Sequence, residues 1–189
     1  MDVDSGRGTM TKTQWKQLLK KLDVKNDMGD LSPVTQAALD TFENDCGIRL
    51  PSTYRSFCRV FGAGEFGREF LIAVPGFKGE SKTNSLQGLQ ELSHAGLEYD
   101  EYSPDPQQHA RGVFFAFDIL GSKYFFDPED ISDARKNEYA VYTLFRDWEV
   151  QRTADNFWQF VTECCLGERH DELIESEEPP EQVFRPVGK

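Results

Sequence analysis

No stretch of this chain comes near the ~18 uninterrupted apolar residues that a membrane-spanning helix needs. The N-terminal run MDVDSGRGTM, Met1 to Met10, has no apolar centre of the kind a secretory signal carries, and it reads as a disordered lead-in. Cysteine is scarce: Cys46, Cys58, Cys164 and Cys165, with no CxxC pair. Adjacent cysteines rarely make a sound bridge, so reduced, mostly buried thiols in a cytoplasmic protein are expected. A zinc site joining these thiols to His170 fails on ligand spacing. Histidine is scarcer still. His94, His109 and His170 all lie in polar sequence and read as surface residues. Bases are short too, 21 against 33 acids, for a net charge of -12. That balance disfavours phosphate backbones and anionic membranes, and it leaves a basic protein partner open.

What the chain does have is aromatic bulk. Aromatics make up 13% of the 189 residues, including 15 Phe. Mean hydropathy is -0.59, a globular balance. At about 150 residues per domain the length implies one domain. A chain of this size removes roughly 70% of its unfolded surface from water, enough for a core without staples.

The apolar spacing predicts helices. Thr11 and Gln14 fit a capping box, and Trp15, Leu18, Leu19 and Leu22 follow at i, i+3, i+4, i+7. A second helix is expected to open at Ser32-Pro33, carry Val34, Ala38, Phe42 and Cys46 on one stripe, and stop at Gly47. A third runs from about Ser52 to Phe61, with Tyr54, Phe57, Cys58 and Phe61 on one face. Strands are expected over Phe70 to Val74, Val113 to Phe117, Lys123 to Phe126 and Tyr139 to Phe145. Trp148 to Gln151 extends or follows the last strand, and Gly121-Ser122 marks a hairpin turn. Ser85 could cap a short helix carrying Leu86, Leu89 and Leu92. A last helix carries Phe157, Phe160, Val161 and Cys164 and ends at Gly167.

No catalytic set emerges from the residue types. Gly62-Ala63-Gly64 precedes a strand, whereas a phosphate cradle needs helix amides behind its glycines. Asp127-Pro128-Glu129-Asp130 lacks the alternating ligands and central Gly of a calcium loop and reads as a strand-ending turn. Cys164 fits a buried helix face better than a reactive thiol. The aromatic strands invite comparison with a nucleic-acid platform, but acids outnumber bases around them, so core packing explains the rings better. The stretch EYDEYSPD, Glu98 to Asp105, is different: it holds four acids and no base. Glu98, Asp100, Glu101 and Asp105, with Tyr99 and Tyr102 among them, form the candidate partner-binding patch. Carboxylates there would complement a basic cleft, and exposed tyrosines are favoured interface anchors.

The segment Ala38 to Phe66, ALDTFENDCGIRLPSTYRSFCRVFGAGEF, resembles the SUKH superfamily. These are bacterial immunity proteins related to the fungal Smi/Knr-type regulators of cell-wall synthesis. The pattern is carried by Gly47, Ile48, Leu50, Pro51, Tyr54, Phe57, Gly62 and Gly64. VFFAFDILGSKYFFD, Val113 to Asp127, resembles the family's central hairpin, and NFWQF, Asn156 to Phe160, the start of its closing helix. The family often exits the third helix with Asn-Gly-Gly, and this chain departs from that. The motif residues are junction and core residues that carry no chemistry.

Together these readings predict an α+β fold, a mostly antiparallel sheet with helices packed on one face. The expected organisation is a lead-in at 1–10, a SUKH-like domain at 11–167 and an acidic tail or arm at 168–189. The resemblance implies a cytoplasmic, non-enzymatic immunity protein without metal or cofactor. It would bind and neutralise a cognate toxin, often a nuclease in this superfamily. The alternative is an intracellular regulatory scaffold that binds several proteins, as the fungal relatives suggest. The net charge is unevenly placed. Glu98 to Asp105 contributes -4, and His170 to Lys189, with six acids against two bases, contributes another -4, both outside the parts that resemble the family.

Overall fold

Trp15 organises the N-terminal end of the chain. The computed structural model describes residues 7–79, 81–94 and 105–188. Helix α1 spans Arg7–Leu19, so Thr11 lies inside the helix and does not cap it. Of the lead-in expected over 1–10, residues 7–10 are helical and 1–6 lie outside the described residues. Trp15 is fully buried, Leu22 is buried and Leu18 and Leu19 pack at the margin, as the spacing predicts. The indole Nε1 donates to the Thr53 carbonyl at 2.9 Å, satisfying the ring's polar atom inside the core.

Strand β1 is only Asp23–Val24. Helix α2 spans Gln36–Cys46 and is capped by Thr35, whose hydroxyl accepts from Ala38 N at 3.2 Å. The start expected at Ser32-Pro33 is displaced because Val34 N donates to Cys58 O at 2.8 Å, which keeps this stretch out of the helix. The buried stripe is accordingly Leu39 and Phe42, and Cys46 is exposed. Gly47 closes the helix at φ +68, in the left-handed region that glycine takes without strain. Leu50 N donates to Glu43 Oε1 at 2.8 Å, and Arg55 pairs with both Glu43 and Asp40. Helix α3 spans Ser52–Cys58 and buries Tyr54, Phe57 and Cys58; a tight turn then carries the chain to the buried Phe61. Gly62 has φ +80, and a Cβ there would meet the Ser32 carbonyl at 2.2 Å, so the motif glycine is a steric requirement.

The remaining elements are β2 (Gly64–Phe66), β3 (Phe70–Ile72), α4 (Leu86–His94), α5 (Pro106–Arg111), β4 (Val113–Asp118), β5 (Lys123–Asp133), β6 (Glu138–Leu144), β7 (Val150–Ala154), α6 (Phe157–Gln159), α7 (Asp171–Ile174) and β8 (Val183–Pro186). A wider helical turn, Phe160–Cys165, continues α6. Among the described residues eight strands form one sheet in the order β1-β8-β2-β3-β4-β5-β6-β7. Every pairing is antiparallel except β1 with β8. The fold is therefore α+β with a mostly antiparallel sheet, as the sequence implies. Its first face carries α1, α2, α3 and α6 over an aromatic core. The second face, expected to be bare of helices, carries α4 and α5 over a smaller cluster of Ala73, Leu89, Phe114, Phe125 and Leu144. Alternation along β4 puts Phe114 and Phe115 on opposite faces, and a register shift between Phe114 and Ala116 then sets Phe115 and Ala116 on the same face and Phe117 on the other. Phe114 joins the second cluster, while Phe115 stacks on Phe126 in the first at 4.2 Å.

Two expectations need correction. Asp127-Pro128 does not end the second strand of the hairpin; β5 runs on to Asp133. Its register is irregular between Phe126 and Ile131, so Pro128 occupies a stretch where the ladder needs no N–H from it. The C-terminal segment is not a loosely packed arm either. β8 inserts between β1 and β2, and Phe184 is fully buried. Exposed Glu175, Glu177, Glu178 and Glu181 precede this strand and mask its short apolar signal. Gly64 makes the insertion possible, since a Cβ there would lie 2.3 Å from the Phe184 ring and 2.6 Å from the Arg185 carbonyl.

The tip of the β5–β6 hairpin is clipped to the start of α3. Glu138 accepts from Thr53 N at 2.9 Å and Thr53 Oγ1 at 2.6 Å, and Asn137 Nδ2 donates to Leu50 O at 3.0 Å. Burial lifts the Glu138 carboxyl to about 7, against the two Thr53 donors that pull it down.

Two predictions follow from this packing. Phe184→Ala should cost about 3–5 kcal/mol in denaturant unfolding, the range for emptying a buried aromatic site. A loss under about 1 kcal/mol would mean that the C-terminal strand is dispensable. For Glu138 the folded-state value lies above the unfolded one, so the folded chain binds the extra proton. Its contribution to stability therefore grows as pH falls from about 8 to about 5, and Glu138→Gln should remove that slope. An unchanged slope in the variant would rule Glu138 out as its source.

Candidate partner-binding face

Of the predicted patch, Glu98, Tyr99, Asp100, Glu101 and Tyr102 lie outside the described residues; Asp105 lies within them. Asp105 is exposed and caps α5, its Oδ1 accepting from Gln108 N at 2.9 Å, with Pro106 at the first helical position. Its observed role is thus to start a helix. The patch joins α4 to α5, and both anchors are held firmly against the second face.

Helix α4 is fixed by Leu86 and Leu89 and by Gln90, whose amide bonds both the N–H and the carbonyl of Phe114. Gly88 is needed here because a Cβ would meet the Lys82 carbonyl at 2.3 Å. Helix α5 is fixed by charge. Arg111 reaches Asp127 through Nε and Nη2, both at 2.8 Å, and Gln108 Nε2 donates to the same carboxylate at 2.9 Å. Burial alone would raise the Asp127 carboxyl, but Arg111, Gln108 and the Glu129 amide hold it below its usual range. The residue read as part of a turn is the clamp of this layer.

Two histidines join the helices. His94 Nε2 donates to Gly112 O and His109 Nε2 to Ser93 O, each at 3.2 Å. Because carbonyls only accept, both rings carry a proton on Nε2. The rings lie 6.3 Å apart, and His109 stacks on Trp148 at 6.1 Å and tilts against Phe114 at 5.3 Å. Burial lowers the His94 value. The expectation of three surface histidines is thus wrong for two: His109 is 5% exposed and His170 2%. His170 bonds the Glu69 carboxylate across the β2–β3 turn and meets Phe70 edge-on. Backbone carbonyls and a distant carboxylate bury these rings, and no local periodicity signals either partner.

Phe114, Phe115, Tyr124, Phe125 and Phe126 are buried, so they offer no platform for stacking bases. Cys164 and Cys165 are fully buried, and burial pushes the Cys164 thiol up to about 11, far from a reactive thiolate. Among the described residues no three His, Cys, Asp or Glu side chains converge on a metal position, and no helix is long and apolar enough to cross a membrane.

The model of the SMI1/KNR4 family (SUKH-1) matches residues 33–163. The chain belongs to this family. No curated protein matches it. The SUKH-1 match starts at Pro33, before α2, and ends at Glu163 in the closing helical turn. It therefore covers α2 to α6 and most of the sheet, including α4, α5 and the acidic segment between them. Helix α1, β1 and β8 complete the SUKH-1 core from outside the matched span. Among the motif residues, Tyr54 and Phe57 are core, Leu50 is buried, Ile48 packs against the core, and Pro51 precedes α3. Gly47, Gly62 and Gly64 meet the backbone and packing demands described above.

Asp127→Asn should loosen α5 by removing the charge that Arg111 grips, at a cost of about 2 kcal/mol. Hydrogen exchange should quicken over Pro106–Arg111 and leave β5 and β6 protected. Equal acceleration across the sheet would show that Asp127 supports the whole fold and not this layer.

Proposed function

We propose that this SUKH-1 chain is a cytoplasmic, non-enzymatic immunity protein that binds and neutralises a cognate toxin. The reading rests on the acidic, tyrosine-bearing sequence 98–105, which lies in the chain between α4 and α5, the two helices anchored on the second face. A net charge of -12 suits a basic partner, and a nuclease active site is such a surface. Neutralisation would be occlusion without turnover. The acidic segment enters or covers the basic cleft, long-range attraction speeds encounter, and like charge rejects acidic partners. The anchored helices limit the ordering cost on binding. Guarding a cell against an enzyme calls for nanomolar binding, about -12 kcal/mol.

Co-expression with a toxin encoded next to this gene tests the reading. Survival of the host and co-purification of a tight one-to-one complex are expected, and replacing Glu98, Asp100 and Glu101 with Gln should abolish both. A neighbouring toxin that is neither bound nor neutralised would sink the proposal. A set of weaker cellular partners in its place would favour the scaffold reading, with the exposed acids at 175–181 as its contact.

A further inference from the structure

The slot between β1 and β2 is filled by the last strand of the chain. Among the described residues β8 is the only strand paired with β1, in parallel, through Asp23–Val183 and Val24–Phe184. On its other side it pairs antiparallel with β2, through Phe66–Phe184, Glu65–Arg185 and Gly64–Pro186. Asp23 N donates to Gln182 O at 2.9 Å and Lys25 N to Phe184 O at 3.0 Å, while Gly67 N donates to Val183 O and Val187 N to Ala63 O, each at 3.1 Å. The side chains match as well. Phe184 packs on Phe61 at 4.8 Å and on Phe66 at 5.0 Å, and Arg185 pairs with Asp27 at 3.0 Å. An empty slot would bare two strand edges and leave a hole beside Phe61 and Phe66, so a strand of this sequence has to occupy it.

The hinge that delivers β8 is strained in this closed arrangement. Before the hinge, α7 is held fast, with Leu173 and Ile174 buried and His170 bonded to the Glu69 carboxylate. Between Ile174 and Val183 lie eight residues, ESEEPPEQ. Glu175 turns the chain at φ +55, in the left-handed region where a residue with a side chain is strained. Glu175, Glu177, Glu178 and Glu181 are exposed and repel one another, and among the described residues only Glu181 meets a base, Arg68 at 3.4 Å. Pro179-Pro180 stiffens the middle of the hinge in an extended form. Straightening the hinge relieves the turn and the repulsion and suits the two prolines. A straightened hinge of this length reaches roughly 26 Å from α7.

We propose that the slot between β1 and β2 also receives β8 from a second copy of this chain, so that two copies exchange their C-terminal strands and form a symmetric dimer. The slot itself identifies the occupant. It takes a strand with Phe opposite Phe66, where Gly64 leaves room for the ring, followed by a base opposite Glu65 and within reach of Asp27. The β8 of a second copy carries both in register. The exchanged dimer keeps the pairings of β8 and changes the hinge alone, so the two forms are balanced by hinge strain against the entropy of association. The family match ends at residue 163, so the hinge and the strand lie outside it. The inference does not rest on the immunity reading.

Light scattering on the full chain over a range of concentrations, after labelled and unlabelled chains are unfolded together and refolded, tests the exchange. Isotope-filtered NOE spectroscopy on the same mixture shows whose strand fills each slot. The expected result is a dimer that grows with concentration and shows NOEs from Phe184 of one protomer to Phe61 and Phe66 of its partner. Glu175→Asn accepts the left-handed turn and removes one carboxylate, so it should lower the dimer association constant at least about fivefold without lowering the thermal stability of the monomer. A chain that stays monomeric at every concentration would overturn the proposal. So would a dimer whose Phe184 NOEs all lie within one protomer, or a Glu175→Asn dimer as strong as the native one. None of these outcomes bears on whether a neighbouring toxin is neutralised, so the two proposals can fail separately.

Discussion

Phe57 and Phe157 sit 5.1 Å apart where α3 and α6 meet over the sheet, and the rest of the molecule is built around that contact. Trp15 from α1 packs on both rings, at 5.4 and 5.7 Å. Tyr54 and Phe115 join from α3 and β4. Phe184 reaches Phe57 at 6.5 Å from the C-terminal strand and packs more closely on Phe61 at 4.8 Å. One cluster thus ties both ends of the chain to the middle of the sheet. Its polar atoms are satisfied in place, Trp15 Nε1 by Thr53 O and the Tyr54 hydroxyl by Ala73 O. Offset and edge-on ring pairs add to the apolar area removed from water, so a modest chain holds its fold with free cysteines only.

The two faces of the sheet are held by different kinds of interaction. The first face spends its aromatics on the core. The second has a small apolar cluster, a carboxylate clamp on α5 and two imidazoles between α4 and α5. These interactions are polar and directional. They set the position of two short helices that could not hold it by propensity alone.

Much of this was legible in the sequence. The stripe through Trp15, the Gly47–Pro51 junction, the Tyr54-Phe57 face and the 113–126 hairpin all carry local signals, and the structure places them accordingly. What was hidden depends on distant partners. β8 is four residues behind an acidic run, and only its place between β1 and β2 explains its burial. The cap at Thr35 prevails over Ser32 through a hydrogen bond from Val34 to Cys58. His109 and His170 are buried by a carbonyl and a carboxylate far along the chain. Of the candidate patch only Asp105 lies among the described residues, and it caps α5.

The measurement that tests the central claim most directly is hydrogen exchange on the chain with and without a co-purified toxin. Protection gained at residues 95–111, with the aromatic face of α1 and α3 unchanged, is the expected result. Protection confined to α1, α2 and the 175–181 acids, with residues 95–111 exchanging as in the free protein, would contradict it.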